Sequence, residues 1–129
     1  LINNRQLYFV PVVNPDGYVY NQSTNPNGGG MWRKNRRNNT GSCEGVDLNR
    51  NYDWMWSSTT GSSGDTCNDT YRGTAPFSEP ESQAIRDFTT SINPPIAFTT
   101  HTFDGSYLFP DFSNGSPEYA LLQNILMIF

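Results

Sequence analysis

Histidine occurs once in this chain, at His101. Zinc takes three or four protein donors, and nothing near His101 in sequence supplies the rest, since one neighbouring carboxylate, Asp104, does not make a site. Residue spacing alone therefore establishes no metal centre, and a lone imidazole at the end of an apolar run reads first as a structural residue. Charge is scarce too: only 16% of the residues are Asp, Glu, Lys or Arg, and the formal net charge is −4. An acidic chain is a poor general binder of nucleic acid, which demands an extended positive footprint. Long apolar runs are also missing, and the longest is too short to span a bilayer. No internal repeat is apparent.

Cysteine is nearly absent as well, at Cys43 and Cys67 only. Lone thiols are often just small buried residues. Both of these lie in Gly/Ser/Asn/Thr-rich loop sequence, where a staple is more useful than a buried thiol. That favours a disulfide and an oxidising compartment. Sequons at Asn21, Asn38, Asn68 and Asn114 fit such a compartment, although a chain this rich in Asn, Ser and Thr produces about that many by chance.

What is present is enough for one folded domain. The chain has 129 residues, 14% of them aromatic, too many for a disordered chain of low hydrophobicity. Leu7-Tyr8-Phe9-Val10-Pro11-Val12-Val13 reads as a buried strand blemished by Pro11, and Asn14-Pro15-Asp16-Gly17 as a turn. From Asn21 to about Pro76 no period is visible, which predicts a functional loop region held by a staple. Ser78-Glu79-Pro80-Glu81 has the capping-box form, with Ser78 as N-cap and Glu81 reaching back. It opens a helix with Ala84, Ile85, Phe88 and Ile92 along one face, ended by Asn93-Pro94-Pro95. Ile96 to Phe103 then reads as a strand, and an apolar run from Tyr119 to Phe129 begins like a helix.

A helix between two such strands suggests a right-handed crossover and a parallel pair in an α/β domain. Ligands in open α/β sheets bind at the carboxyl ends of strands, which places His101 where a site is expected. The other candidate is Asn49-Arg50, inside Gly45-Val46-Asp47-Leu48-Asn49-Arg50-Asn51-Tyr52. A guanidinium fork beside a carboxamide makes a clamp for a carboxylate. Half of the eight cations fall between Arg33 and Arg37, and the plain reading of that cluster is a solvated basic loop.

Asn14-Pro15-Asp16-Gly17-Tyr18, Trp32-Arg33-Lys34-Asn35, Cys43 to Tyr52, Tyr71-Arg72-Gly73 with Ser78-Glu79-Pro80-Glu81, and His101-Thr102-Phe103 occur in this order. Together they resemble the central part of the zinc metallocarboxypeptidases of the carboxypeptidase A/B type, over nearly all of Leu7 to Phe109. The resemblance implies a mixed, largely parallel sheet with flanking helices and long loops, with residues 1–129 the central fragment of a single catalytic domain truncated at both ends. It makes His101 the third zinc ligand and Arg33 the arginine that polarises the scissile carbonyl. Asn49 and Arg50 would bind the substrate's terminal carboxylate, and Thr102 and Phe103 would line the cleft. Cys43 and Cys67 fall where pancreatic-type members have a disulfide.

The same resemblance implies a secreted or periplasmic zinc peptidase acting on peptide or protein C-termini, with no nucleic acid or membrane partner and an unassigned oligomeric state. In the family the first two zinc ligands come from a His-x-x-Glu motif upstream of the Asn-Pro-Asp-Gly turn, and the general-base glutamate lies beyond the third ligand. Neither falls within residues 1–129, so the zinc site is expected to be incomplete and the fragment inert. The alternative is a non-catalytic carboxylate- or peptide-binding module (a pseudo-carboxypeptidase). A loop-rich lectin-like domain has only composition behind it.

Overall fold

In the computed structural model the described residues are 2–41, 43–101 and 127–128. They fall in two compact units, Leu1–Asp87 and Phe88–Phe129, each described by itself. The first carries a short 3-10 turn at Ile2–Asn4, helix α1 (Pro15–Thr24), a 3-10 turn at Leu48–Arg50, and the start of helix α2 (Pro80–Ile92). In the second, strands β1 (Phe98–Thr99) and β2 (Met127–Ile128) pair in parallel, with Phe98 opposite Met127 and Thr99 opposite Ile128.

Asn14-Pro15-Asp16-Gly17 turns out to be a helix start rather than a free turn. Asn14 Oδ1 accepts the Gly17 N–H at 2.9 Å, Pro15 takes a first-turn position with no N–H to satisfy, and Asp16 complements the positive helix end. The same side-chain-to-backbone bond serves a turn and a helix cap, so the local sequence fits both. Gly17 is buried where an added Cβ would lie 2.7 Å from the Lys34 carbonyl oxygen, which is why no larger residue fits.

Residues 7–13 are not a strand. Leu7 is 55% exposed and Phe9 80%, and the backbone here is neither helical nor in a ladder. A strand exists only against a ladder partner, and β propensity along the chain does not by itself supply one.

α2 begins two residues after Ser78, which shifts the cap to Glu79, whose carbonyl accepts the Gln83 N–H at 3.0 Å. Glu81 does not close the expected box. Its carboxylate accepts a bond from Asn35 Nδ2 at 3.2 Å, and Ser78 donates to Glu79 Oε1 at 2.6 Å.

The long loop region from the end of α1 to α2 is organised by a polar core. The buried apolar residues of the first unit are Val46, Leu48 and Tyr71, while Lys34, Asn35, Asn39, Asp47, Asn51, Glu79 and Ser82 are equally buried. Buried polar groups persist only when their hydrogen bonds are made, and here two asparagines make them. Asn35 Oδ1 accepts the Val46 N–H at 2.8 Å while its Nδ2 donates to Glu79 Oε2 at 2.8 Å. Asn51 Nδ2 donates to the carbonyls of Arg72 (2.9 Å) and Ala75 (3.2 Å) and to Ser78 Oγ (2.8 Å), and its Oδ1 accepts from Glu79 N and Ser82 Oγ. A Cys43–Cys67 disulfide, with Cα atoms 5.0 Å apart, staples the region as expected. Lys34 reaches beside it, donating to the carbonyls of Thr66 (2.9 Å) and Asn68 (3.2 Å).

Candidate functional site

The segment Gly45 to Asn51 turns sharply, and Gly45 permits it. Its φ is +80°, and an added Cβ would lie 2.8 Å from Lys34 Cβ. The chain is then fixed on both sides, because Asn35 N donates to the Val46 carbonyl at 2.9 Å and Asp47 N to that of Tyr71 at 2.8 Å. Asp47 follows as the N-cap of the Leu48–Arg50 turn: Oδ1 accepts the Asn49 N–H at 3.1 Å, and its carbonyl accepts that of Arg50 at 2.9 Å.

The other carboxylate oxygen of Asp47 meets Arg33, with Nη2 to Oδ2 2.8 Å. Asp47 is 1% exposed, whereas the Arg33 side chain is 47% exposed. Burial raises the Asp47 carboxyl above its ordinary value, and the charges of Arg33 and Arg50 pull it back down. One buried carboxylate thus holds the turn that carries Asn49 and Arg50 and also anchors Arg33.

Arg50 is braced within its own loop. Nε donates to the Gly61 carbonyl at 2.6 Å and Nη1 to that of Asn49 at 3.0 Å, leaving Nη2 without a protein partner among the described residues. Asn49 is exposed beside it. Both line a groove of about 400 Å³ whose apolar wall is Tyr52, Trp54, Met55 and Trp56. Trp56 is held by a bond to the Arg72 carbonyl at 3.0 Å, with the Arg72 guanidinium 5.1 Å from its ring centre, and Tyr52 packs edge-on against Phe77. Burial raises the Tyr52 phenol above its usual value.

The basic cluster is not a solvated loop. Arg36 pairs with Glu44 and lies 3.8 Å over the Tyr20 ring, and Arg37 pairs with buried Glu79 at 2.6 Å. Lys34 is buried, and desolvation lowers its ammonium below the usual lysine value against the opposing charges of Asp69, Asp47 and Asp65. Of the cluster, Arg33 combines a buried anchor with a half-exposed guanidinium.

The structure brings Arg33, Asn49 and Arg50 onto one scaffold in the first unit. His101 belongs to the second unit, exposed, with Nε2 3.3 Å from Thr99 Oγ1. Thr102 and Phe103 lie outside the described residues. Among the described residues no three His, Cys, Asp or Glu side chains gather in a way that could hold a metal, so the residues present do not by themselves fit a zinc site. No helix among them is long and apolar enough to cross a membrane. Asp47, which contacts both Arg33 and the Asn49 backbone, has no signal of its own in the sequence, although it lies only two residues before Asn49.

The family model described as zinc carboxypeptidase matches residues 1–125. Carboxypeptidase A2 of Rattus norvegicus is 43% identical over 112 residues, which cover 85% of this chain and 26% of that protein. Carboxypeptidase B of Bos taurus is 42% identical over 126 residues, covering 95% of this chain and 28% of the relative. The crystal structure of carboxypeptidase A from Helicoverpa armigera superposes with a TM-score of 0.68 at 38% identity, over 88% of this chain and 27% of that one. The α/β class is shared with these solved folds. The chain spans about a quarter of the length of the curated relatives it matches.

Proposed function

The chain belongs to the zinc carboxypeptidase family, and from that premise we propose that residues 1–129 form the central part of one catalytic domain. The complete domain removes C-terminal residues from peptides or proteins outside the cytosol, with zinc supplying a polarised carbonyl and an activated water. The reading is supported above all by Asp47, which holds Arg33 with one carboxylate oxygen and the Asn49–Arg50 turn with the other.

That geometry supports a role for each residue. Arg33 is a cation fixed by a buried partner and half open to solvent, suited to meet negative charge that develops on a substrate carbonyl oxygen. Arg50 has two donors committed to the backbone, which sets the plane of the guanidinium and leaves Nη2 for a ligand. With the Asn49 amide it can hold a terminal carboxylate, and that contact separates a C-terminal residue from an internal peptide bond. His101 is the one metal ligand this stretch contributes. The sheet of the complete domain is mixed and largely parallel, extending the β1–β2 pair.

The 129-residue chain alone is inert on this account, because one histidine supplies too few donors for zinc. Incubating it with a C-terminal reporter peptide and zinc should give no chelator-sensitive hydrolysis; turnover abolished by a chelator overturns the reading. A second reading, a carboxylate-binding module without catalysis, draws on one observation, that Asn49 and Arg50 are held by protein groups, the Asp47 carboxylate and the Gly61 carbonyl. The two separate in the complete protein: a catalytic domain hydrolyses the reporter, whereas a binding module only retains it, and in both Arg50→Ala weakens capture.

A further inference from the structure

Four Asn-x-Ser/Thr sequons occur in the chain, at Asn21, Asn38, Asn68 and Asn114, and the carboxypeptidase reading uses none of them. We propose that the secreted molecule carries an N-glycan at Asn68 and none at Asn21. Oligosaccharide transfer takes place on the unfolded chain in the compartment that also forms disulfides, so the fold decides which glycans a secreted molecule can carry. The Cys43–Cys67 disulfide, whose second cysteine adjoins Asn68, places this loop in that compartment independently of any sequon.

At Asn68 the sequon is folded on itself. The amide oxygen accepts the Thr70 N–H at 2.9 Å and the Thr70 hydroxyl at 2.8 Å, and Nδ2, the atom that carries the sugar, has no protein partner among the described residues. The residue is exposed, so a bulky substituent displaces nothing. Its backbone is nonetheless held, because the Asn68 carbonyl accepts a bond from Lys34 Nζ at 3.2 Å.

Asn21 is the opposite case. Its Nδ2 donates to the Trp32 carbonyl at 2.7 Å, and its Oδ1 accepts the Trp32 N–H at 2.9 Å, a two-bond clasp that ties α1 to the basic segment. Gly30 passes so close that a Cβ there would lie 2.5 Å from Asn21 Oδ1, leaving no room for a sugar. Asn38 is exposed, and Asn114 lies outside the described residues.

In the reaction the Asn68 amide nitrogen forms a bond to C1 of a lipid-linked oligosaccharide diphosphate. The C1–O bond to the diphosphate breaks, the diphosphate leaves on its lipid, and the amide gives up one proton. The full chain, secreted from a eukaryotic host and released from its glycans by a peptide-N-glycosidase in ¹⁸O-water, should carry ¹⁸O-labelled Asp at position 68 in most molecules and unmodified Asn at position 21. Cell-free translation with microsomes removes any dependence on folding: there Thr70→Ala should lose one glycan's worth of mass relative to the wild type. An unlabelled position 68 in the secreted chain, or a Thr70→Ala product of wild-type size, overturns the proposal.

Discussion

Asp47 Oδ2 lies 2.8 Å from Arg33 Nη2, and the same carboxylate caps the turn that carries Asn49 and Arg50. The partners differ sharply in environment, the acid buried and the arginine half open. A buried carboxylate whose cation reaches solvent is a support rather than a structural pair alone: it sets the guanidinium's position while leaving its outer face available. Removing the acid should therefore disturb both functional arms at once, through Arg33 directly and through the backbone of Asn49.

Arg33→Ala in the complete domain should lower kcat by about 10²- to 10³-fold, the usual effect of losing a donor to a developing oxyanion. Asp47→Asn should lower kcat by a smaller factor and also raise KM, because its loss loosens the clamp turn. Steady-state kinetics on a C-terminal peptide checks both; an Asp47→Asn enzyme with unchanged kcat and KM removes Asp47 from the account.

Asp47 also predicts a pH dependence of stability. Burial raises its carboxyl above the ordinary 3.8, against the lowering effects of Arg33 and Arg50. A folded-state value that is raised means tighter proton binding in the fold, so the stability it contributes is complete below 3.8 and is lost as pH rises through the raised value. Asp47→Asn cannot titrate there. Denaturant unfolding at a series of acid pH values should show the wild type losing stability relative to Asp47→Asn as pH increases from 3.8. A flat difference, or one of opposite slope, contradicts this.

Asn51 should matter more for stability than its type suggests. Its amide is fully buried and bonds to Arg72, Ala75, Ser78, Glu79 and Ser82. Asn51→Ala strands several buried partners and should cost about 3 kcal/mol in urea unfolding. Asn38→Ala, at an exposed position of the same region, should change stability by less than about 0.5 kcal/mol.

Much of this was legible in residue order. The α2 helix follows from its apolar spacing and its Pro80, and the staple from two cysteines in loop sequence; the pairing of Asn49 with Arg50 suggests the clamp proposed above. What escaped was whatever depends on contacts distant in sequence. Asn14 to Gly17 suits a turn and a helix start equally, and its bond to the Lys34 carbonyl lies outside any local pattern. Ser78 and Glu81 have capping-box spacing, but Asn51 and Asn35 reach them from the loop region and move the cap to Glu79. Composition makes Arg33 to Arg37 look solvated; four different partners across the fold engage it instead. A polar core leaves no hydrophobic period to read, which is why Asn21 to about Pro76 looks structureless in sequence.

The central claim is that Arg50, with Asn49, selects a free terminal carboxylate. The most direct test compares hydrolysis of one peptide as its C-terminal acid and as its C-terminal amide, by the complete domain and by its Arg50→Ala variant. The wild type should cleave the acid far faster than the amide, and Arg50→Ala should shrink that preference by about 10- to 100-fold, the weight of a lost charge-assisted pair. An Arg50→Ala enzyme that keeps the full preference for the acid would contradict the account.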